Sequence, residues 1–339
     1  MARSRRRLLA AGFVALDVVH ATEGTWLRAG GTAANVAANL TFLGWSARLA
    51  AAIGLDDAGE LVRNDLAQAG VDVSNLGRRS DIGTPLVLHQ VVSRGHRFRF
   101  GCPSCGRRYS RHVPLRIEEA ALVMKQPPVA DVFFFDRPSR FALELATRHS
   151  EAGAFVAYEP STVATRTAHR RAVRLSRLIK YSAQRAGLFR DALPRPREDQ
   201  LFVVTEGSRG ARFRLGIGRW ERSDPFVVES VDPVGAGDWM TAALIDSLAD
   251  RRWTASEVRS AVRKAQAFAA LNCLVPGARL ITSLIDARQL RQRVGLLIRG
   301  GSPSLALPRD EGASVLAGLC PTCRLPATQQ GIRRLRGVL

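Results

Sequence analysis

The residues best suited to chemistry lie in one short segment, Asp232-Pro-Val-Gly-Ala-Gly-Asp238. A strand-like apolar run precedes it, and a helix-like run begins at or just after Gly235. The backbone N–H groups of Gly235, Ala236 and Gly237 are then free at the positive end of a helix, where a phosphate or a developing oxyanion binds. Asp238 follows in the first helical turn and is placed to accept a proton from a nucleophile beside that anion. An ordinary tight turn with Asp238 as a favourable first-turn acid is the alternative.

Two Cys-x-x-Cys pairs form the second group of chemically capable residues. They are Cys102 with Cys105 and Cys320 with Cys323, and each pair has a proline after its first cysteine. Two such pairs can complete a tetrahedral four-thiolate zinc site, which leaves no open position for water. We therefore expect a structural zinc that ties the end of the chain to the region around Cys102. A redox role and unrelated surface cysteines are the alternatives.

The elements that must position these residues alternate along the chain from residue 8 to about residue 298. The predicted strands lie at residues 8–16, 46–53, 85–92, 129–135, 154–158, 201–204 and 226–231. The predicted helices lie at residues 33–43, 58–69, 140–152, 237–249 and 256–274. This alternation predicts an α/β fold with a mostly parallel sheet that helices cover on both faces. Residues 300–339 have little periodicity and are predicted to form a C-terminal tail.

Composition excludes several classes of protein. With 46% hydrophobic residues among 339, the chain can bury a full-sized core, which excludes wholesale disorder. Its longest apolar run, residues 8–16, is too short to cross a bilayer. That run follows a basic stretch as a signal peptide would, but Asp17 falls where a cleavage region should be small and neutral, so a strand is favoured. Together with metal-type cysteine pairs, this predicts a cytoplasmic protein. Fifty basic against thirty acidic residues favour anionic partners.

Five short motifs occur in order along the chain: Gly-Gly-Thr-Ala-Ala-Asn-Val-Ala at residues 30–37, Ile-Gly-Leu-Asp-Asp-Ala-Gly at 53–59, Gly-Val-Asp-Val-Ser at 70–74, Val-Thr-Glu-Gly-Ser-Arg-Gly at 204–210, and the segment at 232–238. Together they resemble the motifs of the ribokinase-like (PfkB) carbohydrate and nucleoside kinases. The last resembles that family's Asp-Thr-x-Gly-Ala-Gly-Asp signature, and the first its Gly-Gly-x-x-x-Asn-x-Ala motif. The resemblance covers about residues 8–298.

The resemblance implies one ribokinase-like domain over residues 1–299, with the tail at 300–339. The family fold is a central, mostly parallel sheet flanked by helices. A small β lid, here expected from about residues 17–35 and 85–113, closes over the sugar and commonly mediates homodimerisation. Closure of such a lid would exclude water, which competes with the acceptor hydroxyl.

The resemblance also implies roles for single residues. Asp238 would be the general base that deprotonates the acceptor hydroxyl, and the amides of residues 235–237 would stabilise the transferring phosphoryl group. The residues expected to hold the sugar hydroxyls are Asp17, Gly30, Gly31 and Asn35. Those expected to line the nucleotide site are Thr205, Gly207 and Gly210, with Asn272, Ser182 and Arg185 nearby. Without the resemblance, Asn35 could be a helix cap and the two glycines a plain turn.

Two family motifs are altered in this chain. The middle strand usually carries Asp-Pro-Asn, and here it carries Glu159-Pro-Ser161. The family's Asn-x-x-Glu, which organises magnesium near the phosphates, is replaced by Ser182 and Arg185. An arginine cannot hold Mg²⁺ through water, although it can stabilise phosphate charge.

The expected function is therefore transfer of the γ-phosphoryl group of ATP, with Mg²⁺, to an alcohol of a sugar or nucleoside. A catalytically weak or inactive binding or regulatory protein on the same scaffold is the first alternative, because of the altered magnesium motif. A nucleic-acid-binding zinc protein is the second, because of the net charge of +20. The scarcity of aromatic residues among the arginines argues against nucleic acid as a partner.

Overall fold

The structure, a computed structural model, describes residues 5–22, 24–92, 95–103, 105–126, 129–162, 164–188, 193–249 and 252–307. The strands of this part are β1 (Arg7–Ala11), β2 (Ala15–Ala21), β3 (Gly24–Gly30), β4 (Ser46–Gly54), β5 (Leu76–Arg79), β6 (Leu86–Val92), β7 (Gly95–Arg99), β8 (Val132–Phe135), β9 (Phe155–Tyr158), β10 (Leu178–Ser182), β11 (Leu201–Thr205), β12 (Ala211–Leu215) and β13 (Glu221–Ser223). The helices are α1 (Thr32–Phe42), α2 (Asp57–Gln68), α3 (Glu119–Met124), α4 (Arg140–Glu151), α5 (Arg166–Leu175), α6 (Ala236–Leu248), α7 (Ala255–Asn272), α8 (Ile281–Leu284) and α9 (Ala287–Ile298).

The larger sheet has the strand order β13-β12-β11-β10-β9-β8-β1-β4-β5. All neighbouring pairs from β11 to β5 are parallel, and β12 and β13 add an antiparallel edge. Its central strand β8 reads Val-Phe-Phe-Phe, and all four side chains are buried because both faces of the sheet are covered. The predicted α/β fold with a mostly parallel sheet is confirmed.

Helices cover the two faces of this sheet and form two cores. On one face α6 packs between α1 and α7, and on the other α4 packs beside α5. Trp239 of α6 is fully buried, with its ring 6.0 Å from Phe42 and 5.9 Å from Phe268. This packing fixes the first turn of α6, which carries Asp238, against its neighbours.

A second, smaller sheet has the order β3-β2-β6-β7. Strands β2 and β3 form an antiparallel hairpin, β6 pairs with β2 in parallel, and β7 returns antiparallel to β6. We call these four strands the small sheet. β3, β6 and β7 lie within the segments 17–35 and 85–113 from which the sequence predicts a lid, and β2 begins two residues before the first of them.

Two predicted strands differ in the structure. The run at residues 8–16 is split into β1 and β2, which belong to different sheets, because Gly12 turns the chain with φ +144°. A Cβ at this glycine would lie 1.6 Å from Oδ1 of Asp136. The run at residues 226–231 is not a strand, and Val227 within it is 94% exposed. Its apolar residues follow the surface without pairing in the sheet.

Candidate active site

The segment singled out by the sequence forms a turn at the start of α6, and we call residues 232–237 the anion turn. Gly235 adopts φ +78°, and a Cβ there would lie 2.3 Å from Cα of Ala278, so only glycine fits. The N–H of Ala236 donates to the carbonyl of Pro233 at 3.3 Å. The amides of Gly235 and Gly237 have no acceptor among the described residues. Two backbone donors therefore remain available at the positive end of a thirteen-residue helix.

Buried polar contacts hold the anion turn from behind. The carboxylate of Asp232 is fully buried and accepts hydrogen bonds from the amides of Val234 at 3.1 Å and Gly277 at 2.7 Å. The side chain of Asn272, predicted to lie near the nucleotide, is buried and donates to the carbonyl of Val234 at 2.8 Å. The turn is thus anchored at its first residues, which leaves its glycine amides in a fixed direction.

Two histidines of the small sheet reach the same buried carboxylate. Nε2 of His89, on β6, lies 3.2 Å from Oδ2 of Asp232, and Nδ1 of His96, on β7, lies 3.8 Å from Oδ1. Burial acts to raise the pKa of Asp232, but His89 and the amides of Gly277 and Val234 hold that pKa below its usual range. The small sheet and the anion turn therefore meet through a contact of two imidazole rings with one carboxylate.

Asp238, the predicted base, lies in the first turn of α6 and is partly accessible. Its Oδ2 accepts a hydrogen bond from Nδ2 of Asn35 at 2.7 Å, which joins two motifs 203 residues apart. Burial and the nearby charge of Glu159 raise the pKa of Asp238 to about 7, against the opposing effects of Lys180, Asn35 and Arg185. A carboxyl group with this pKa is suited to general-base work near neutral pH.

Beneath Asp238 lies a buried ion pair. Nζ of Lys180 lies 2.6 Å from Oε1 of Glu159 and donates to the carbonyl of Gly237 at 2.9 Å. The other oxygen of Glu159 accepts a hydrogen bond from the hydroxyl of Thr241 at 2.5 Å. The side chains of Lys180 and Glu159 are 2% and 5% exposed. Since each charge has its partner, the pair fixes the last residue of the anion turn without an uncompensated charge.

The predicted acceptor residues lie where β2, β3 and α1 meet. Gly30 faces Asp17 of the neighbouring strand so closely that a Cβ would lie 1.8 Å from Oδ2. Gly31 follows with φ +92°. Burial raises the pKa of Asp17 to about 7, although the charges of His89 and Arg279 act against it. Near neutral pH this carboxyl group can both accept and donate hydrogen bonds to hydroxyl groups.

The predicted nucleotide residues lie at the carboxyl ends of adjacent strands. Ser182 ends β10 and pairs in register with Thr205, which ends β11. A 3₁₀ turn follows β11, with Gly207 at φ +62° and Gly210 at φ +90°. Arg185 lies in a second 3₁₀ turn after β10. The structure thus gathers these residues at one edge of the sheet, beside the anion turn.

In the part of the chain that the structure describes, no group of three or more His, Cys, Asp or Glu residues is arranged to hold a metal ion. Glu159 is engaged by Lys180 and Thr241, and Arg185 stands where the resemblance places a magnesium-organising glutamate.

Of the predicted zinc ligands, only one pair falls in the described residues. Cys102 is buried and Cys105 is exposed. The amide of Gly106 donates to the carbonyl of Cys102 at 2.9 Å, which closes a tight turn after β7. Cys320 and Cys323 lie outside the described residues, so the four-thiolate site stays a prediction.

Within the described ranges, none of the helices is both long and apolar enough to cross a membrane.

Comparison with known proteins decides the family. A protein-family model, described as pfkB family carbohydrate kinase, matches residues 7–284. The chain belongs to the PfkB family. The match spans the large sheet, the small sheet and the anion turn, and so includes every element of the site described above. The predicted family membership is confirmed.

Relatives of this PfkB chain act on several sugars. The ATP-dependent ribose-1-phosphate kinase of Halopiger xanaduensis is 29% identical over 256 residues, which is 74% of this chain and 82% of that protein. Aminoimidazole riboside kinase from Salmonella enterica, solved with aminoimidazole riboside and an ATP analog, has a TM-score of 0.66 at 21% identity, covering 85% and 100% of the two chains. Fructokinase from Vibrio cholerae, solved with fructose, ADP and calcium, has a TM-score of 0.67 at 19% identity, covering 85% and 99%. The ribokinase-like fold is thereby confirmed.

Sequence reasoning missed two contacts of the PfkB site, the Glu159–Lys180 pair and the His89–Asp232 contact. It also did not single out Arg137, which follows β8. One signal could have found the first, since Lys180 is one of only three lysines among fifty basic residues. A chain that otherwise uses arginine retains a lysine here, where a compact ammonium group fits a buried carboxylate.

Proposed function

We propose that this PfkB-family protein transfers the γ-phosphoryl group of ATP to an alcohol group of a sugar or nucleoside. One observation carries the proposal: Asn35 of the acceptor motif donates to Asp238, beside the available amides of the anion turn. The acceptor residues, the base and the anion donors are thereby contiguous, as direct transfer requires. The relatives, a ribose-1-phosphate kinase, a riboside kinase and a fructokinase by name, support the same reaction class.

In the proposed step, a hydroxyl oxygen of the acceptor forms a bond to the γ-phosphorus of ATP. The bond between that phosphorus and the β,γ-bridging oxygen breaks, and its electron pair leaves with ADP. The hydroxyl proton passes to the carboxylate of Asp238. Charge on the phosphoryl oxygens is stabilised by the Gly235 and Gly237 amides and by the helix dipole. Positioning and electrostatics supply most of the catalysis in such transfers.

The residues around Asp238 have separate roles in the proposed transfer. Asp17 binds acceptor hydroxyls, and Asn35 holds the base in orientation. Thr205 and Gly207 line the nucleotide site at the end of β11. Arg185 takes the place of the magnesium-organising acid and contributes positive charge near the phosphates. Magnesium, carried by the nucleotide, would supply additional neutralisation of phosphate charge.

An inactive binding protein on the same scaffold is the competing proposal, and the loss of the magnesium-organising acid at Arg185 favours it. Release of ADP over a panel of sugars, sugar phosphates and nucleosides separates the two. A kinase releases ADP only with the correct acceptor, and Asp238→Asn abolishes the release while preserving the melting temperature. Glu229→Gln, an exposed acid in the segment before the anion turn, is the matched control. A thermal shift with nucleotide but no turnover with any acceptor would favour the binding protein.

We propose in addition a structural zinc held by Cys102, Cys105, Cys320 and Cys323, a cytoplasmic location, and a homodimer through the small sheet. The tight turn after Cys102 supports the zinc site, because it suits two thiolates on one ion. Phe98 is 43% exposed and Phe100 61% exposed at the free edge of that sheet, which supports dimerisation. Elemental analysis should find about one zinc per chain, lost in Cys320→Ser, and zero zinc would end that proposal. For the proposed homodimer, light scattering should give twice the chain mass, and the mass of a monomer would contradict that proposal.

A further inference from the structure

An arginine whose Nε–H has no hydrogen-bond acceptor among the described residues lies on the acceptor side of the site. Arg137 lies two residues after the end of β8, at the carboxyl edge of the sheet where the other site residues lie. Its guanidinium carbon lies 4.4 Å from the ring centroid of Phe13, so the side chain is held in one orientation by stacking. The side chain is 20% exposed, and its Nε is buried with no hydrogen-bond acceptor among the described residues. A buried donor of this kind is costly unless a ligand satisfies it.

The neighbouring carboxylate does not satisfy this arginine. Oδ1 of Asp136 accepts the amide of Phe13 at 2.8 Å, and Oδ2 accepts the hydroxyl of Ser161 at 2.6 Å. Nε of Arg137 lies 3.8 Å from Oδ2, beyond hydrogen-bond distance. Asp136 therefore braces the loop after β1, and the donors of Arg137 stay available.

A second positive charge approaches from the end of β10. Burial lowers the pKa of Arg137, Asp136 raises it, and the charge of Arg185 lowers it again. Arg185 also acts on the base, since its charge lowers the pKa of Asp238. Strands β8 and β10 are separated only by β9, about 10 Å in all, so two long side chains can converge over the end of β9. Two arginines at this range repel each other until an anion lies between them.

The other group that faces Arg137 adds no charge. The ring of His112 packs edge-on against Phe13, with 5.9 Å between centroids. Burial and the charge of Arg137 lower the pKa of His112 to about 3, so the imidazole is neutral at working pH. It can donate or accept one hydrogen bond but cannot neutralise the arginine.

The position of Phe13 sets which substrate meets this arginine. A Cβ at Gly31 would lie 2.4 Å from the carbonyl oxygen of Phe13, so the stacked pair adjoins the acceptor glycines. Of the predicted nucleotide residues, Thr205 ends β11, three strands away from β8, and Ser182 ends β10, two strands away. Arg137 is therefore placed to contact the acceptor molecule.

We propose that Arg137 binds an anionic group on the acceptor, so that the preferred acceptor is a sugar monophosphate. The phosphate group would take the donors of Arg137, while Asp17 binds hydroxyls at the other end of the same molecule. This inference rests on the proposed kinase function but is separable from it, because a kinase for neutral sugars would be equally consistent with the base and the anion turn.

The test measures ADP release with matched acceptors: fructose against fructose 1-phosphate and fructose 6-phosphate, and ribose against ribose 1-phosphate and ribose 5-phosphate. Gluconate tests whether a carboxylate suffices as the anion. The wild type should prefer a phosphorylated acceptor by at least tenfold in kcat/KM. In Arg137→Gln that preference should fall by about 10- to 100-fold, mainly through KM, as expected for lost charge-assisted hydrogen bonds. Arg137→Lys should keep part of it, and Arg140→Gln, an exposed arginine three residues on, should keep all of it.

Each other result overturns the inference. Preference of the wild type for neutral sugars would overturn it and leave the kinase function intact. A preference for gluconate over every sugar phosphate would reassign the anion to a carboxylate and overturn the phosphate. Equal losses with neutral and phosphorylated acceptors in Arg137→Gln would place this arginine on the transferring phosphoryl group instead. If no acceptor is turned over, calorimetric binding of the sugar phosphates to wild type and Arg137→Gln decides, and equal binding or none overturns the proposal.

Discussion

The pH dependence of the proposed reaction gives the sharpest test of the site, because Asp238, the proposed base, has a pKa of about 7. A general base acts only when ionised, so kcat/KM should fall about tenfold for each pH unit below that pKa. At pH 6 about one tenth of the enzyme should carry ionised Asp238. An aspartate with an ordinary pKa would leave the rate flat down to about pH 4. The raised value follows from burial and from Glu159, so the lower limb of the profile reports on this environment.

Asn35 should set the position of that limb. Its side chain donates to Oδ2 of Asp238 at 2.7 Å and therefore favours the ionised form. A hydrogen bond to a charged group is worth about 1.5–3 kcal/mol, and one pKa unit corresponds to about 1.4 kcal/mol. Asn35→Ala should therefore move the limb upward by about 1–2 pH units. Asn39→Ala is the matched control, since Asn39 lies one turn further along the same helix, is equally buried, and has no hydrogen bond to Asp238.

The assay is ADP release at subsaturating acceptor from pH 5 to 10, with circular dichroism to confirm that each variant is folded at each pH. The expected profile has a wild-type limb near 7 and an Asn35→Ala limb near 8–9. A wild-type rate that stays flat down to pH 5, or limbs that coincide in the wild type and Asn35→Ala, would refute the reasoning that burial and this one amide set the ionisation of Asp238.

Three further predictions concern buried parts of the site. Lys180→Met should lower the free energy of unfolding in urea by about 3–5 kcal/mol, because it strands a buried carboxylate, and a loss under about 1 kcal/mol would contradict this. Gly235→Ala should lower kcat by about 100-fold through displacement against Ala278, whereas Gly153→Ala, at φ +77° with open space around it, should leave kcat unchanged. Between about pH 4 and 7 the contribution of Asp17 to the free energy of unfolding should fall as pH rises, because its raised pKa lets the folded state keep a proton that the unfolded state releases. Asp17→Asn should reduce that slope in denaturation curves, and an unchanged slope would contradict it.

The sequence predicts well whatever is encoded locally. The alternation of strands and helices, the anion turn and the acceptor glycines depend on residues that are close in the chain. The boundary of α6 is correct to within one residue, because Gly235 in the left-handed region and the apolar residues after it define the start of a helix. The apolar run at residues 8–16 was misleading, because periodicity does not show that Gly12 must turn beside Asp136.

Contacts between distant residues could not be predicted in the same way. The partner of Lys180 is 21 residues away on another strand, and Asn35 meets Asp238 across 203 residues. Arg137 looked like one more surface arginine among 47, because nothing in its local sequence shows that Asp136 is already occupied by the backbone and by Ser161. Such pairings are set by strand order, which alternation restricts but does not determine.

The contact of His89 with Asp232 has a consequence for how the two substrates influence each other. His89 lies on β6 and Asp17 on the adjacent strand β2, so both belong to one hydrogen-bonded unit. The small sheet therefore cannot tilt without changing the surroundings of Asp232, whose carboxylate holds the anion turn in place. If the acceptor shifts the small sheet when it binds, the affinity for the nucleotide must change. Thermodynamic reciprocity then requires the nucleotide to change the affinity for the acceptor by the same factor.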